Sequence, residues 1–102
     1  MNTRDWLAHR EPSPPRELRE RLEALVLAAP EQGDPAATLI AAAEGVLARL
    51  AREASDDRAT ALDLLAVDAL VTYAFEYAAA SPGEIPRLSA RAMSRLSAVP
   101  AP

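Results

Sequence analysis

"ALDLLAVDALVTYAFEYAAA", Ala61 to Ala80, is the stretch on which the reading of this chain turns. It is apolar enough to suggest a membrane span, yet Asp63, Asp68 and Glu76 interrupt it. A single acid at the centre of a span costs about 3 kcal/mol, so three together argue against one. Projected at about 100° per residue, the stretch has two apolar faces. Leu62, Ala66, Ala69, Leu70, Tyr73 and Tyr77 make the first, and Leu64, Val67, Val71, Phe75 and Ala78 the second, nearly opposite. Asp68, Thr72 and Glu76 form a narrow polar strip between them, with Asp63 on the other side. An outer helix of a small domain needs one apolar stripe of about 100°. A second stripe asks for a second cover. The reading is a homodimer, the commonest closed assembly, with Leu64, Val67, Val71, Phe75 and Ala78 as its interface. Two other covers are possible: a small hydrophobic ligand in a groove lined by this helix, or the N-terminal segment with Trp6 and Leu7.

Outward from this helix, proline and glycine punctuate the chain. Residues 1–12 form an N-terminal segment in which Asn2 or Thr3 caps one or two helical turns. After "PSPP", Ser13 is a cap for a helix over 14–29 with Pro14 and Pro15 in its first turn. Leu18, Leu22, Leu25, Val26 and Ala29 share its apolar face. "PEQGDP" is a loop, and Asp34 followed by Pro35 starts a helix over 35–54. There Leu39, Ile40, Ala43, Val46, Leu47, Leu50 and Ala54 lie on an arc of roughly 120°, with Arg49 and Arg52 pointing away. "SDD", Ser55 to Asp57, caps the helix over 56–80. Ser81 and Glu84 have the spacing of a capping box, but Pro86 would interrupt a helix begun there. The last helix is therefore set at 86–99, with Leu88, Ala92, Leu96 and Val99 inward and Ile85 as a possible extension. No strand pattern and no internal repeat are present. The expected fold is all-α: one domain over 1–102, a small antiparallel four-helix bundle with a short extra N-terminal helix.

Composition narrows the function classes. Half of the 102 residues are hydrophobic and a quarter charged, as in ordinary globular proteins. There is no cysteine, hence no disulfide framework and no thiolate chemistry. The first dozen residues carry too many charges for a signal peptide, which points to the cytoplasm. A net charge of −4 disfavours nucleic acid and anionic membrane surfaces. All eleven basic residues are arginine and alanine is abundant, a bias expected of a GC-rich bacterial genome.

Residues able to carry chemistry are few. Asp63, within the apolar part of its helix, reads either as a carboxylate of raised pKa or as an edge residue paired with Arg58 or Arg16. Asp68, Thr72 and Glu76 could offer half of a metal site, but no Glu-x-x-His partner exists and His9 is the sole histidine. Arg87, Arg91 and Arg95 step by four along the last helix. This ladder reads as a partner for Asp68 and Glu76, in the same subunit or across a dimer, or as a weak anion-binding patch. Trp6 reads as a hydrophobic lid. No phosphate loop and no nucleophile elbow appear. "VDALVTYAFEYAA", Val67 to Ala79, resembles a helix of isoprenyl diphosphate synthases, whose activity needs two aspartate-rich motifs. Only Asp56–Asp57 is present, so no residue role is carried over. The expected function is a non-enzymatic helical interaction or assembly module that forms a homodimer, with another protein as a further candidate partner. It has no catalytic or metal residues and no cofactor. The alternative is a carrier or sensor of a small hydrophobic ligand.

Overall fold

The breaks read from proline, glycine and the "SDD" stretch separate five α-helices among the described residues. The computed structural model describes residues 2–53, 56–80 and 83–100. The helices are α1 (Thr3–Ala8), α2 (Arg16–Ala28), α3 (Pro35–Glu53), α4 (Arg58–Ala78) and α5 (Glu84–Ser97). No strand occurs among the described residues.

Each helix end has a local cause. Asn2 caps α1 by accepting the Asp5 N–H at 2.8 Å, so Asn2 is the cap and Thr3 the first helical residue. Before α2 the expectation fails: Pro14 and Pro15 stay outside the helix, Pro15 occupies the cap position with φ -52° and ψ 148°, and Ser13 Oγ instead accepts from Arg19 at 3.3 Å. A proline pushes the residue before it toward extended backbone, which disfavours helical geometry at Ser13 and Pro14. The same restriction ends α2, where Ala29 is extended ahead of Pro30. Asp57 caps α4 by accepting the Thr60 N–H. Ser55, Ser81 and Ala54 lie outside the described residues. α5 begins at Glu84, two residues before Pro86, with Gly83 at its cap in the left-handed region (φ 87°). Pro86 is tolerated because it falls in the first turn, where N–H groups have no helical acceptor.

The core is shared by all five helices. Leu22 and Val26 of α2, Leu39, Ile40 and Ala43 of α3, Leu70 and Ala74 of α4, and Leu88 and Ala92 of α5 are buried in it. Of the expected stripes, Leu22 and Val26 of α2, Leu39, Ile40, Ala43, Val46 and Leu50 of α3, and Leu88 and Ala92 of α5 are buried, the remaining described members are partly buried, and Ile85 is 37% exposed. The first turns of α3 depart from a one-sided helix. Every residue from Pro35 to Ile40 is buried, because α1 and α5 both pack there. Alanine and threonine gave no periodic signal of this, but their small side chains allow such close approach. Thr3 and Thr38 are buried there too, and both hydroxyls donate to Glu31 Oε1, at 3.0 and 2.9 Å.

α3 and α4 make the most extensive helix pair, with the C-terminal half of α3 beside the start of α4. Glu17 pairs with Arg58 and Arg21 with Asp63, so α2 and α4 run in the same sense. Asp34 pairs with Arg91 and Glu44 with Arg95, which relates α3 and α5 in the same way. No helix among the described residues is long and apolar enough to cross a membrane.

Candidate interaction surface

α4 touches α2, α3 and α5, and α1 is laid against its C-terminal half. Its fully buried line is Asp63, Ala66, Leu70, Ala74 and Ala78. At 100° per residue that line runs between the two faces read from the sequence. Those faces are the two flanks of one wide buried arc. On one flank, Tyr73 and Tyr77 are half-buried under Trp6, whose ring meets both edge-on at centroid distances of 6.3 and 5.4 Å. On the other flank, Val67, Val71 and Phe75 are half-buried against the core.

The outward strip carries Asp68, Thr72 and Glu76, all exposed. Toward its N-terminal end the strip turns apolar. Leu64 and Leu65 are 53% and 58% exposed, on consecutive positions. Beside Leu65 lies a shallow groove of about 250 Å³, walled by Pro15, Leu18, Ala61 and Leu62, with Glu17 and Arg58 at its rim. Of the interface residues expected from sequence, Leu64 is open to solvent, Val67, Val71 and Phe75 are partly open, and Ala78 is buried within the chain. Leu65 and the Pro15–Leu18 wall were missed. The signal for Leu65 was its angular position: at about 100° per residue it falls on the outward strip of Asp68, Thr72 and Glu76, where a large apolar side chain is out of place.

Asp63 is buried, 4% exposed, and two helices supply its cations. Arg21 of α2 donates through Nε and Nη2 to the two carboxylate oxygens at 2.6 and 3.3 Å, and Arg49 of α3 donates to Oδ2 at 2.6 Å. The partners expected from sequence, Arg58 and Arg16, are engaged with Glu17 and Glu20. Arg49 does not point away; its long stem lets the head group reach back over the edge of α3. Burial alone would raise the Asp63 pKa. The hydrogen bonds and charges of Arg21 and Arg49 outweigh it and hold the carboxyl below its ordinary value. A carboxylate fixed this way is an acceptor saturated by guanidinium groups, poorly suited to moving protons.

Two rungs of the arginine ladder of α5 meet acids on α3 or just before it, within the chain. Arg95 Nε donates to Glu44 Oε2 at 2.6 Å, Arg91 lies 3.7 Å from Asp34, and Arg87 is engaged as well. Glu76 is taken instead by Arg10, whose Nη2 donates to Oε2 at 2.9 Å while its guanidinium lies 4.5 Å over the Trp6 ring. Asp68 makes no ion pair among the described residues. Burial, helped by the Glu76 charge and opposed by Arg10, raises the Tyr73 pKa. No group of three or more acidic or histidine side chains among the described residues is placed to hold a metal ion. No protein-family model matches the chain, and no curated protein or solved structure is detectably similar to it.

Proposed function

We propose that this chain is a non-enzymatic helical interaction module, an antiparallel bundle with an added N-terminal helix, that pairs with a second copy of itself through the outward side of α4. The observation that carries the reading is the open doublet Leu64–Leu65 beside the apolar groove of Pro15, Leu18, Ala61 and Leu62. Scattered exposed leucines need no explanation, but adjacent ones bordering an apolar groove on the most apolar helix form a patch. The half-open Val67, Val71 and Phe75 extend it along α4. The rim charges come as a bonded acid–base pair, Glu17 with Arg58. A two-fold contact presents the same rim from both sides, so each Glu17 can meet the partner's cation without like charges being forced together. A stable pair needs about 800 Å² from each copy, more than the doublet alone, so the neighbouring α2 surface takes part.

Light scattering on the eluting protein across a concentration series tests this. The expected mass is near twice 10.9 kDa. Leu65→Glu is expected to give a folded chain of single mass, because Leu65 contributes little to the core. A wild-type monomer at every concentration, or a Leu65→Glu dimer of unchanged affinity, defeats the proposal.

A further inference from the structure

A second groove, of about 240 Å³, lies between α2 and α3 and shares no residue with the one beside Leu65. Leu25 and Ala28 line it from α2, and Ala42, Gly45 and Val46 from α3. Its lining is apolar except for Arg49. The two helices run antiparallel, so the groove has unlike ends. At one end Arg21 and Arg49 meet at Asp63. At the other, α2 ends at Ala28 ahead of Pro30. From Ala41 to Arg49 the α3 side is about 12 Å long, at 1.5 Å rise per residue.

Two independent features of this groove point to a ligand. The first is charge. Arg21 and Arg49 share the single carboxylate of Asp63, which leaves one positive charge over. Arg49 engages Asp63 through Nη2 and stays 35% exposed, and among the described residues its Nε and Nη1 have no protein partner. A guanidinium with free donors at the end of an apolar groove complements a carboxylate. The carbonyl end of α2 carries partial negative charge, so an anionic head group is directed away from it, to Arg49. The second feature is Gly45, in the middle of α3. Glycine is the poorest helix former after proline. Packing within the chain does not ask for it: a methyl group there would meet no atom within 4 Å outside its own stretch of helix. The missing side chain keeps the groove open.

We propose that this groove binds a small aliphatic carboxylate, its head group on the Arg49 guanidinium and its chain lying over Gly45 toward Ala28. The volume sets the class: it falls below the roughly 300–1,000 Å³ of sites for drug-sized ligands and suits one short alkyl chain. The bound anion brings the cluster of two arginines and one aspartate to neutrality. The site is independent of self-association through α4, so the two readings fail separately.

Octanoate is the probe, titrated into the full chain by calorimetry, with octanol as the uncharged control. Octanoate is expected to bind saturably at one site, at least about tenfold more tightly than octanol, as one charge-assisted hydrogen bond supplies. Gly45→Leu fills the groove from α3 and is expected to keep the circular dichroism of wild type while weakening octanoate by at least about tenfold through steric exclusion. Absence of saturable octanoate binding overturns the proposal, and so does octanol binding as tightly as octanoate, a comparison that needs no variant. A folded Gly45→Leu chain with wild-type affinity overturns it as well. If octanoate does not bind and Gly45→Leu turns a dimeric wild type into a monomer, the occupant of the groove is a second copy of the chain and the carboxylate site is refuted.

Discussion

The two ends of α4 are built from similar residues and end in opposite states. At the C-terminal end, Tyr73 and Tyr77 are roofed by Trp6, and Arg10 closes over Trp6 to reach Glu76. At the N-terminal end, Leu64 and Leu65 stand open beside a groove. Aliphatic content does not separate them, since the open end has the larger aliphatic side chains. What separates them is the reach of α1, a helix of six residues at the end of a linker that stops at Pro15. A short element covers one end of a long helix and leaves the other for something else. The contrast teaches that an apolar face in sequence states a demand for cover without saying which chain meets it.

The strongest way to sharpen this contrast is to compare substitutions along the same helix. Leu70→Ala, at a position with no exposure between the two ends, removes a fully packed side chain and is expected to cost about 2–5 kcal/mol in chemical denaturation. Asp63→Asn comes next. It leaves Arg21 and Arg49 without their shared carboxylate, and since both guanidinium groups keep about a third of their exposure they regain some water. A loss of roughly 2–4 kcal/mol at neutral pH is expected, at or below the range for broken buried pairs. Its pH dependence carries the sign. The folded carboxyl titrates below the ordinary value of 3.8. Its contribution is therefore complete above that value and is lost as pH falls toward and through the folded one. The stability gap between wild type and Asp63→Asn should be widest near neutrality and close below about pH 4; a gap constant from pH 7 to pH 3 would refute the charge account.

Smaller effects probe the ends themselves. Trp6→Ala removes the roof over Tyr73 and Tyr77 and is expected to cost about 2 kcal/mol, with loss of near-ultraviolet circular dichroism from the two tyrosines. At the open end, Leu65→Ala is expected to change the stability of the isolated chain by no more than about 0.5 kcal/mol, as for other surface positions. If Leu65→Ala destabilised the chain as much as Trp6→Ala at concentrations where it is monomeric, the two ends would not differ in the way described.

Much of this organisation was legible beforehand. Helix number, approximate limits and the inward stripes of α2, α3 and α5 follow from period and punctuation. The start of α2 was misplaced because Ser13 is an excellent cap residue by type, and the extended backbone imposed by two following prolines overrode it. The α5 start was misplaced for the converse reason, since Pro86 reads as a breaker until its first-turn position is known. Asp63 could be flagged from its angular position, but not paired. Arg21 and Arg49 lie on the flanks of stripes in two other helices, and only their packing around α4 brings both guanidinium groups to one carboxylate. The arginine ladder was visible as a ladder, yet the acids its last two rungs meet, Asp34 and Glu44, lie just before α3 and on it. Which of two acidic helices faces α5 is a matter of spatial arrangement that spacing along one helix does not encode.

By itself, the sequence determined that this chain is all-helical, where its breaks fall, and that one helix is too apolar to have a single buried stripe. Those properties are local: propensity, capping and 3.6-residue periodicity act within a turn or two. The tertiary structure alone decided that the two apolar faces of α4 are flanks of one buried arc, that a buried acid is held by arginines from two helices, and that α1 covers one end of α4 while Leu64 and Leu65 stay open at the other. Those outcomes depend on which helices meet and how far a short tethered segment reaches, and both are set by the packing of the whole chain.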